Sequence, residues 1–259
     1  MCFDLDSVPP VAPGPGAVAD SRIVSVRSAD GTQCGAFLAV GEQPSGVGVL
    51  ILPDVRGLYG FYTELGLRFA EHGHTALVLD YYGRTAGVEA RSKDFPYQQH
   101  MSRLTPRQLH EDLTAAVAYL RSPEGGNCTS VVTIGFCIGG RLAVLASIRD
   151  RELAGTIGYY CWPAPGPDGA PGPTGRAAEL GAPVLALMAG ADPGIPLAHI
   201  AEFETALAAA GLDHEVVTYE GAPHSFFDVK QSEYKDASLD SWERVLASSD
   251  GSPPERPKD

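Results

Sequence analysis

The sequence predicts an α/β fold, with a mostly parallel central sheet, helices on both faces and an antiparallel edge toward the N-terminus. Three observations carry this. From Gly48 onward, short apolar runs alternate with longer stretches of helical period, the pattern of parallel strands joined by crossover helices. Before Gly48, two β-rich runs flank Asp30-Gly31, a hairpin signal because glycine accepts positive φ. A chain of 259 residues with 44% hydrophobic side chains also has enough material for one large buried core.

In chain order, residues 1–20 read as an extended arm, since Pro9, Pro10, Pro13, Gly14, Pro15 and Gly16 favour a surface course over a packed element; little chemistry is expected there. The hairpin follows at 23–26 and 36–40, and parallel strands are expected at 49–52, 76–79, 131–134, 156–160, 184–188 and 215–219. Helices are expected where Phe61, Leu65 and Phe69, then Leu109, Leu113 and Val117, then Ile200, Phe203 and Leu207 recur on one stripe, with a last helix over 234–247. A single domain thus spans 21–248. Residues 249–259 are too polar to offset the entropy of ordering and read as a frayed tail. Two long connections, 81–106 and 163–181, have the length of lids or binding loops.

Composition narrows the function classes. With 32 acidic against 19 basic side chains the formal charge is −13, a field that repels phosphate backbones and anionic lipid, so neither nucleic acid nor membrane is an expected partner. No apolar run approaches the roughly twenty residues of a membrane span. The first residues lack a basic region followed by an apolar core, so a secretory signal is not read and a cytoplasmic address is expected. The five cysteines, at 2, 34, 128, 137 and 161, are odd in number and scattered, which argues against a disulfide framework or a structural zinc. A monomer or homodimer acting on a small molecule is the expectation.

The strongest chemical signal is Gly135-Phe136-Cys137-Ile138-Gly139-Gly140, between an expected strand and an expected helix. A strand that turns abruptly into a helix needs small residues around the turn and presents the middle side chain at the carboxyl end of the sheet. Cys137 is that side chain, and the helix N-terminus favours its thiolate. The amide of Ile138 would face a developing oxyanion. A buried structural cysteine in a tight turn is the competing reading of this hexapeptide alone. Two later loops add weight: the strand at 184–188 runs into Asp192, and that at 215–219 runs into Gly221-Ala222-Pro223-His224-Ser225-Phe226. The order nucleophile, acid, base suits His224 as proton carrier and Asp192 as its orienter.

These residues resemble the dienelactone hydrolase family. The resemblance covers about residues 23–246 and includes Gly-Phe-Cys-Ile-Gly-Gly, Gly190-Ala191-Asp192, Gly-Ala-Pro-His-Ser-Phe and Gly158-Tyr159-Tyr160. It implies an α/β-hydrolase fold without metal or organic cofactor, a Cys137-His224-Asp192 triad, an acyl-thioester intermediate and hydrolysis of an enol-lactone or related ester. It further implies an acid after an early strand that modulates the resting thiol; here that position is Asp54, where the family founder has glutamate, and Val55 beside it would supply a second oxyanion amide. Family members hold a substrate carboxylate with arginines, one of them where this chain has Asp228. Arg56, Arg84 or Arg91 are candidate substitutes, and a neutral substrate is the other possibility.

Tyr82, Tyr160, Trp162 and Phe226 are further candidates for the substrate pocket, and Cys161, which replaces a glycine common in the family, is placed with them. His72 and His74 read as polar caps and the remaining histidines as surface residues; no metal is expected. Two other functions stay open: non-hydrolytic chemistry in the same pocket, such as isomerisation, cyclisation or acyl transfer, and a thiol sensor without catalysis.

Overall fold

The computed structural model describes residues 3–87, 91, 94–166 and 169–250. Its eight strands are β1 (Val18–Arg27), β2 (Gln33–Gly41), β3 (Val47–Leu52), β4 (Thr75–Leu79), β5 (Ser130–Phe136), β6 (Gly155–Tyr159), β7 (Val184–Ala189) and β8 (His214–Tyr219), in one sheet of order β1-β2-β4-β3-β5-β6-β7-β8. β2 runs antiparallel to both β1 and β4, and every later pairing is parallel. The expected strands are all present; β3, β4, β7 and β8 are longer by one or two residues, β1, β2 and β5 by more, and β6 is shifted by one residue. β1 starts at Val18, inside the stretch expected as arm.

Among the described residues, seven α-helices connect or flank the strands: α1 (Gly60–Glu71), α2 (Gly83–Ala86), α3 (Tyr97–Met101), α4 (Pro106–Arg121), α5 (Ile138–Ala146), α6 (Leu197–Ala209) and α7 (Lys235–Ser249). Alternation along β3 and β4 divides the core. Val49, Ile51, Ala76 and Val78 pack with Phe61, Leu65 and Phe69 of α1 and Trp242 and Val245 of α7, whereas Leu50, Leu52, Leu77 and Leu79 meet Leu113, Val117 and Leu120 of α4. Each fully buried large aliphatic or aromatic side chain contributes about 1.5–3 kcal/mol, so both faces are strongly held. Thr105 caps α4 reciprocally with Gln108, and Pro106 opens it.

The long connection 81–106 contains α2 and α3, both too short for a periodic pattern to reveal; residues 88–90, 92 and 93 of it lie outside the described residues. The connection 163–181 carries a 3-10 turn at Thr174–Glu179. Arg141 of α5 ties its first half together, its guanidinium donating to the carbonyls of Trp162 at 3.1 Å, Ala164 at 2.5 Å, Ala170 at 3.4 Å and Pro171 at 3.3 Å. At the other end of the chain α7 continues to Ser249, so the expected tail begins inside a helix, and 251–259 lie outside the described residues. No described helix is long and apolar enough to cross a membrane.

Candidate active site

Register lines up the carboxyl ends of five strands. Leu52 pairs with Gly135, Phe136 with Tyr159, Tyr159 with Leu187, and Ala189 with Tyr219. The residues that follow each strand therefore leave from one edge: Asp54 after β3, Cys137 after β5, Tyr160 after β6, Asp192 after β7 and His224 after β8.

Cys137 sits at φ 58° and ψ −118°, the residue before α5. A side chain other than glycine held in that region costs on the order of 1–3 kcal/mol. The surrounding backbone pays this cost by close approach. A Cβ on Gly135 would lie 2.0 Å from the Gly139 carbonyl oxygen, and one on Gly139 would lie 2.2 Å from the carbonyl oxygens of Leu52 and Pro53. The Cys137 amide donates to Tyr159 O at 3.1 Å. Ile138 opens α5, where its N–H has no partner within the helix. Cys137 is half-buried, while Cys34, Cys128 and Cys161 are buried; burial pushes the Cys34 and Cys161 thiols up to about 12 and raises that of Cys128. Among the described cysteines, Cys137 alone combines access with a helix N-terminus.

His224 and Asp192 are joined directly, imidazole Nδ1 to carboxylate Oδ2 at 2.5 Å. Their loops are tied by the backbone: Gly190 N–H donates to Tyr219 O and Ala191 N–H to Ala222 O, each at 2.9 Å. Burial alone would raise the Asp192 pKa, but His224 and the Gly194 amide, which donates to Oδ1 at 2.8 Å, outweigh it and hold the carboxyl below the ordinary value. The ring of Tyr160 stands 4.7 Å from that of His224, centroid to centroid. Tyr160 itself has φ 33°, and its buried hydroxyl has no hydrogen-bond partner.

Asp54 is 1% exposed. Its carboxylate accepts from the amide of Arg56 at 2.8 Å, the hydroxyl of Tyr59 at 3.2 Å and the amide of Phe3 at 3.3 Å. Burial dominates and raises its pKa despite these donors. The carbonyls of Pro53 and Asp54 accept from the Tyr81 hydroxyl and that of Val55 from Tyr82, which fixes the peptide planes of the loop that carries the Val55 amide.

Several expected pocket residues do other work. Arg84 is consumed by protein carboxylates: Nε and Nη2 each bond Asp112 at 2.7 Å and Nη1 bonds Asp30 at 2.5 Å, with the side chain 5% exposed. Arg91 is paired with the buried Asp80. Phe226 is fully buried against Tyr159, Tyr160 and Tyr219, below the site instead of lining it. Tyr82 is likewise fully buried. Cys161 is fully buried too, and packs against Gly140 and Gly158. Trp162 is 37% exposed, with its indole N–H on Pro165 O. His74, read as a polar cap, is 1% exposed, and His100, read as a surface residue, is half-buried and stacks on Phe95 at 4.7 Å.

A cleft of about 850 Å³ opens beside Asp54, with Arg56, Tyr59, Arg91 and Lys230 in its walls together with Asp4 and Asp6 of the N-terminal arm. It reaches the Asp54 flank of the site; Cys137 and His224 are not among its walls. Sequence reasoning named the arm but placed it on the surface, away from the site. Phe3, expected to run over the surface, is 1% exposed and stacks on Phe61 at 3.9 Å. A lone aromatic ahead of a proline-rich stretch was the one available signal.

Comparison with known proteins agrees with this architecture. The family model for the dienelactone hydrolase family matches residues 34–248. A protein of Yersinia pestis assigned as a carboxymethylenebutenolidase is 28% identical over 229 residues, covering 83% of each chain, and a protein of Saccharolobus solfataricus assigned the same activity is 29% identical over 252 residues, covering 83% of this chain and 93% of that one. Among solved structures, one assigned as a dienelactone hydrolase from Klebsiella pneumoniae superposes with a TM-score of 0.77 at 25% identity, covering 90% of this chain and 99% of that one. The matched span includes every strand end described above except that of the hairpin's first strand, and the chain belongs to the dienelactone hydrolase family, as a lactone or carboxylic-ester hydrolase of the α/β-hydrolase fold.

Proposed function

We propose that this enzyme opens a small lactone or carboxylic ester through a covalent thioester on Cys137, with His224 as the proton carrier and Asp192 as its orienter. The observation that carries the reading is the 2.5 Å Asp192–His224 pair on the loops of β7 and β8, beside the strained turn that presents Cys137. With Nδ1 committed to Asp192, the imidazole has Nε2 to take the thiol proton. The sulfur then attacks the carbonyl carbon, and the oxyanion forms against the amides of Ile138 and Val55. Collapse breaks the ester C–O bond, and the leaving oxygen receives the proton from His224. Water, deprotonated by His224, next attacks the thioester; the carboxylic acid leaves and the thiol is restored.

Asp54 adds a buried carboxyl on the other flank, its pKa raised by burial. Its raised pKa and its contact with Tyr59, a wall of the cleft, support a role in sensing substrate and modulating the thiol. The reading is tested by intact-mass spectrometry with 4-nitrophenyl acetate. An acetyl adduct on the wild-type protein and a loss of turnover on the order of 10³-fold or more in Cys137→Ala are expected. Full turnover in that variant would eliminate the mechanism. Solvent-oxygen labelling of the product separates hydrolysis from acyl transfer or isomerisation, because only hydrolysis places water oxygen in the acid.

A further inference from the structure

We propose that the cleft on the Asp54 flank is the approach to the site and that residues Phe3 to Asp6 form a charge filter in it, in which Asp4 and Asp6 engage Arg56 and Lys230 and disfavour carboxylate-bearing substrates relative to uncharged ones. The proposal rests on the hydrolase reading above only in treating the ligand of the cleft as an acyl substrate.

Placement comes first. The family match begins at residue 34, so this arm is additional to the matched domain, yet it is fastened into the site. The Phe3 amide bonds Asp54 at 3.3 Å, and the Phe3 ring lies between Phe61 and Tyr160, at 3.9 and 6.3 Å. Ser7 and Asp4 bond each other twice at 3.0 Å, and Val229 N–H donates to Val8 O at 3.0 Å. The last contact ties the arm to the segment that follows His224.

Charge comes second. The Asp4 carboxylate bridges two cations, 3.7 Å from Arg56 and 3.8 Å from Lys230, and Asp6 pairs with Lys230. The third cation of the cleft, Arg91, is held by the buried Asp80. Three positive walls thus face three carboxylates, and the cleft offers an incoming anion no uncompensated cation. The long-range field of a chain at −13 adds repulsion. An uncharged ester loses nothing in the same place. Asp228, which sequence comparison placed at a carboxylate-binding position of the family, is 6% exposed and turned to the Lys230 amide at 3.1 Å; the arm acids, not Asp228, meet the cleft.

The test compares kcat/KM for 4-nitrophenyl hydrogen succinate with that for 4-nitrophenyl acetate in the full-length protein, in Asp4→Asn/Asp6→Asn, and in the same variant carrying Lys230→Gln. The arm acids are 69% and 78% exposed at the side chain, so their amides leave the fold in place, which a thermal melt checks. The succinate-to-acetate ratio is expected to rise three- to tenfold in the double variant and to lose most of that gain when Lys230 is also replaced. The gain of the double variant over wild type should also shrink with added salt, as expected for partly exposed charges. A rise below threefold overturns the proposal, and so does a gain of which half or more survives Lys230→Gln, since that would be a general field effect. Affinities for phenylacetate and phenylacetamide, measured by ligand-observed NMR on the same three proteins, must shift in the same sense. Because this second readout needs no turnover, a protein that shows the shift without hydrolysing either ester would refute the hydrolase reading while keeping the filter.

Discussion

Asp54 and Asp192 leave the same edge of the sheet, on the loops that follow β3 and β7, and their surroundings drive them apart. Both are buried, at 1% and 8% exposure. Asp192 faces an imidazole at 2.5 Å and is held below the ordinary carboxylate range, whereas Asp54 faces amides and a phenol, and burial raises it. Burial penalises both carboxyls; at Asp192 the hydrogen bond and charge of His224 outweigh that penalty, whereas at Asp54 burial outweighs the Arg56 and Phe3 amides, the Tyr59 hydroxyl and the Arg56 charge. On the proposed mechanism Asp192 steadies His224 and Asp54 modulates the thiol, a division of labour that carboxyls with separated pKa values permit.

The comparison breaks most visibly if the two acids are interchangeable. Asp192→Asn removes the charge that fixes the tautomer of His224, and kcat for 4-nitrophenyl acetate is expected to fall about 10²- to 10⁴-fold with little change in KM. Asp54→Asn, on the modulating side, is expected to cost far less. Steady-state kinetics on the two variants checks this, and equal losses would end the distinction.

A smaller effect sharpens it from between the two acids. The Tyr160 hydroxyl is buried without a partner, and its ring packs on His224. An unsatisfied buried hydroxyl costs about 1–3 kcal/mol, so Tyr160→Phe is expected to raise stability by about 1 kcal/mol in urea unfolding. If the hydroxyl waits for a substrate oxygen, the same variant loses about tenfold in kcat/KM, and opposite movements of stability and activity mark a functional group kept at a structural cost. A stabilised variant with undiminished activity would show the hydroxyl to be idle.

How much of this was legible in the sequence depends on how local each cause is. The strands were readable because β3 to β7 are short apolar runs bounded by turn residues, and the elbow because Gly135 and Gly139 must be glycine wherever backbone passes at 2.0–2.2 Å. The Asp192–His224 pairing was readable because each residue stands on the loop after a strand, in the chain order nucleophile, acid, base. Arg84 was misread because its partner Asp112 lies on the stripe face of α4, fully buried, where periodicity expects an apolar residue; a guanidinium 28 positions away is what makes a carboxylate tolerable there. The arm was misread for the same kind of reason. Its prolines do make it extended, but the burial of Phe3 is decided by Phe61 and Tyr160, and Asp6 meets Lys230 across 224 positions. Composition reports none of these meetings.

The subtlest consequence of the Asp54–Asp192 contrast lies in stability against pH, and its sign follows from linkage. Asp192 has a folded pKa below its unfolded value, so its contribution to stability is present above the unfolded value and is lost as pH falls through the folded one. Asp54 has a folded pKa above its unfolded value, so it favours the fold below the unfolded pKa and loses that contribution as pH rises through the folded pKa. Replacing each by asparagine deletes the titration without deleting the side chain's size. From about pH 4 upward, Asp54→Asn should gain stability relative to wild type as pH rises. Below that window the difference should stay level. Asp192→Asn should behave oppositely: below the ordinary carboxylate value, raising the pH should make it steadily less stable than wild type. Hydrogen bonds lost in either variant add a constant offset and leave the slopes untouched, so urea unfolding over a pH series reads the contrast cleanly. Slopes of the same sign would mean that burial does not raise Asp54 in the fold, and the contrast between the two acids would fall.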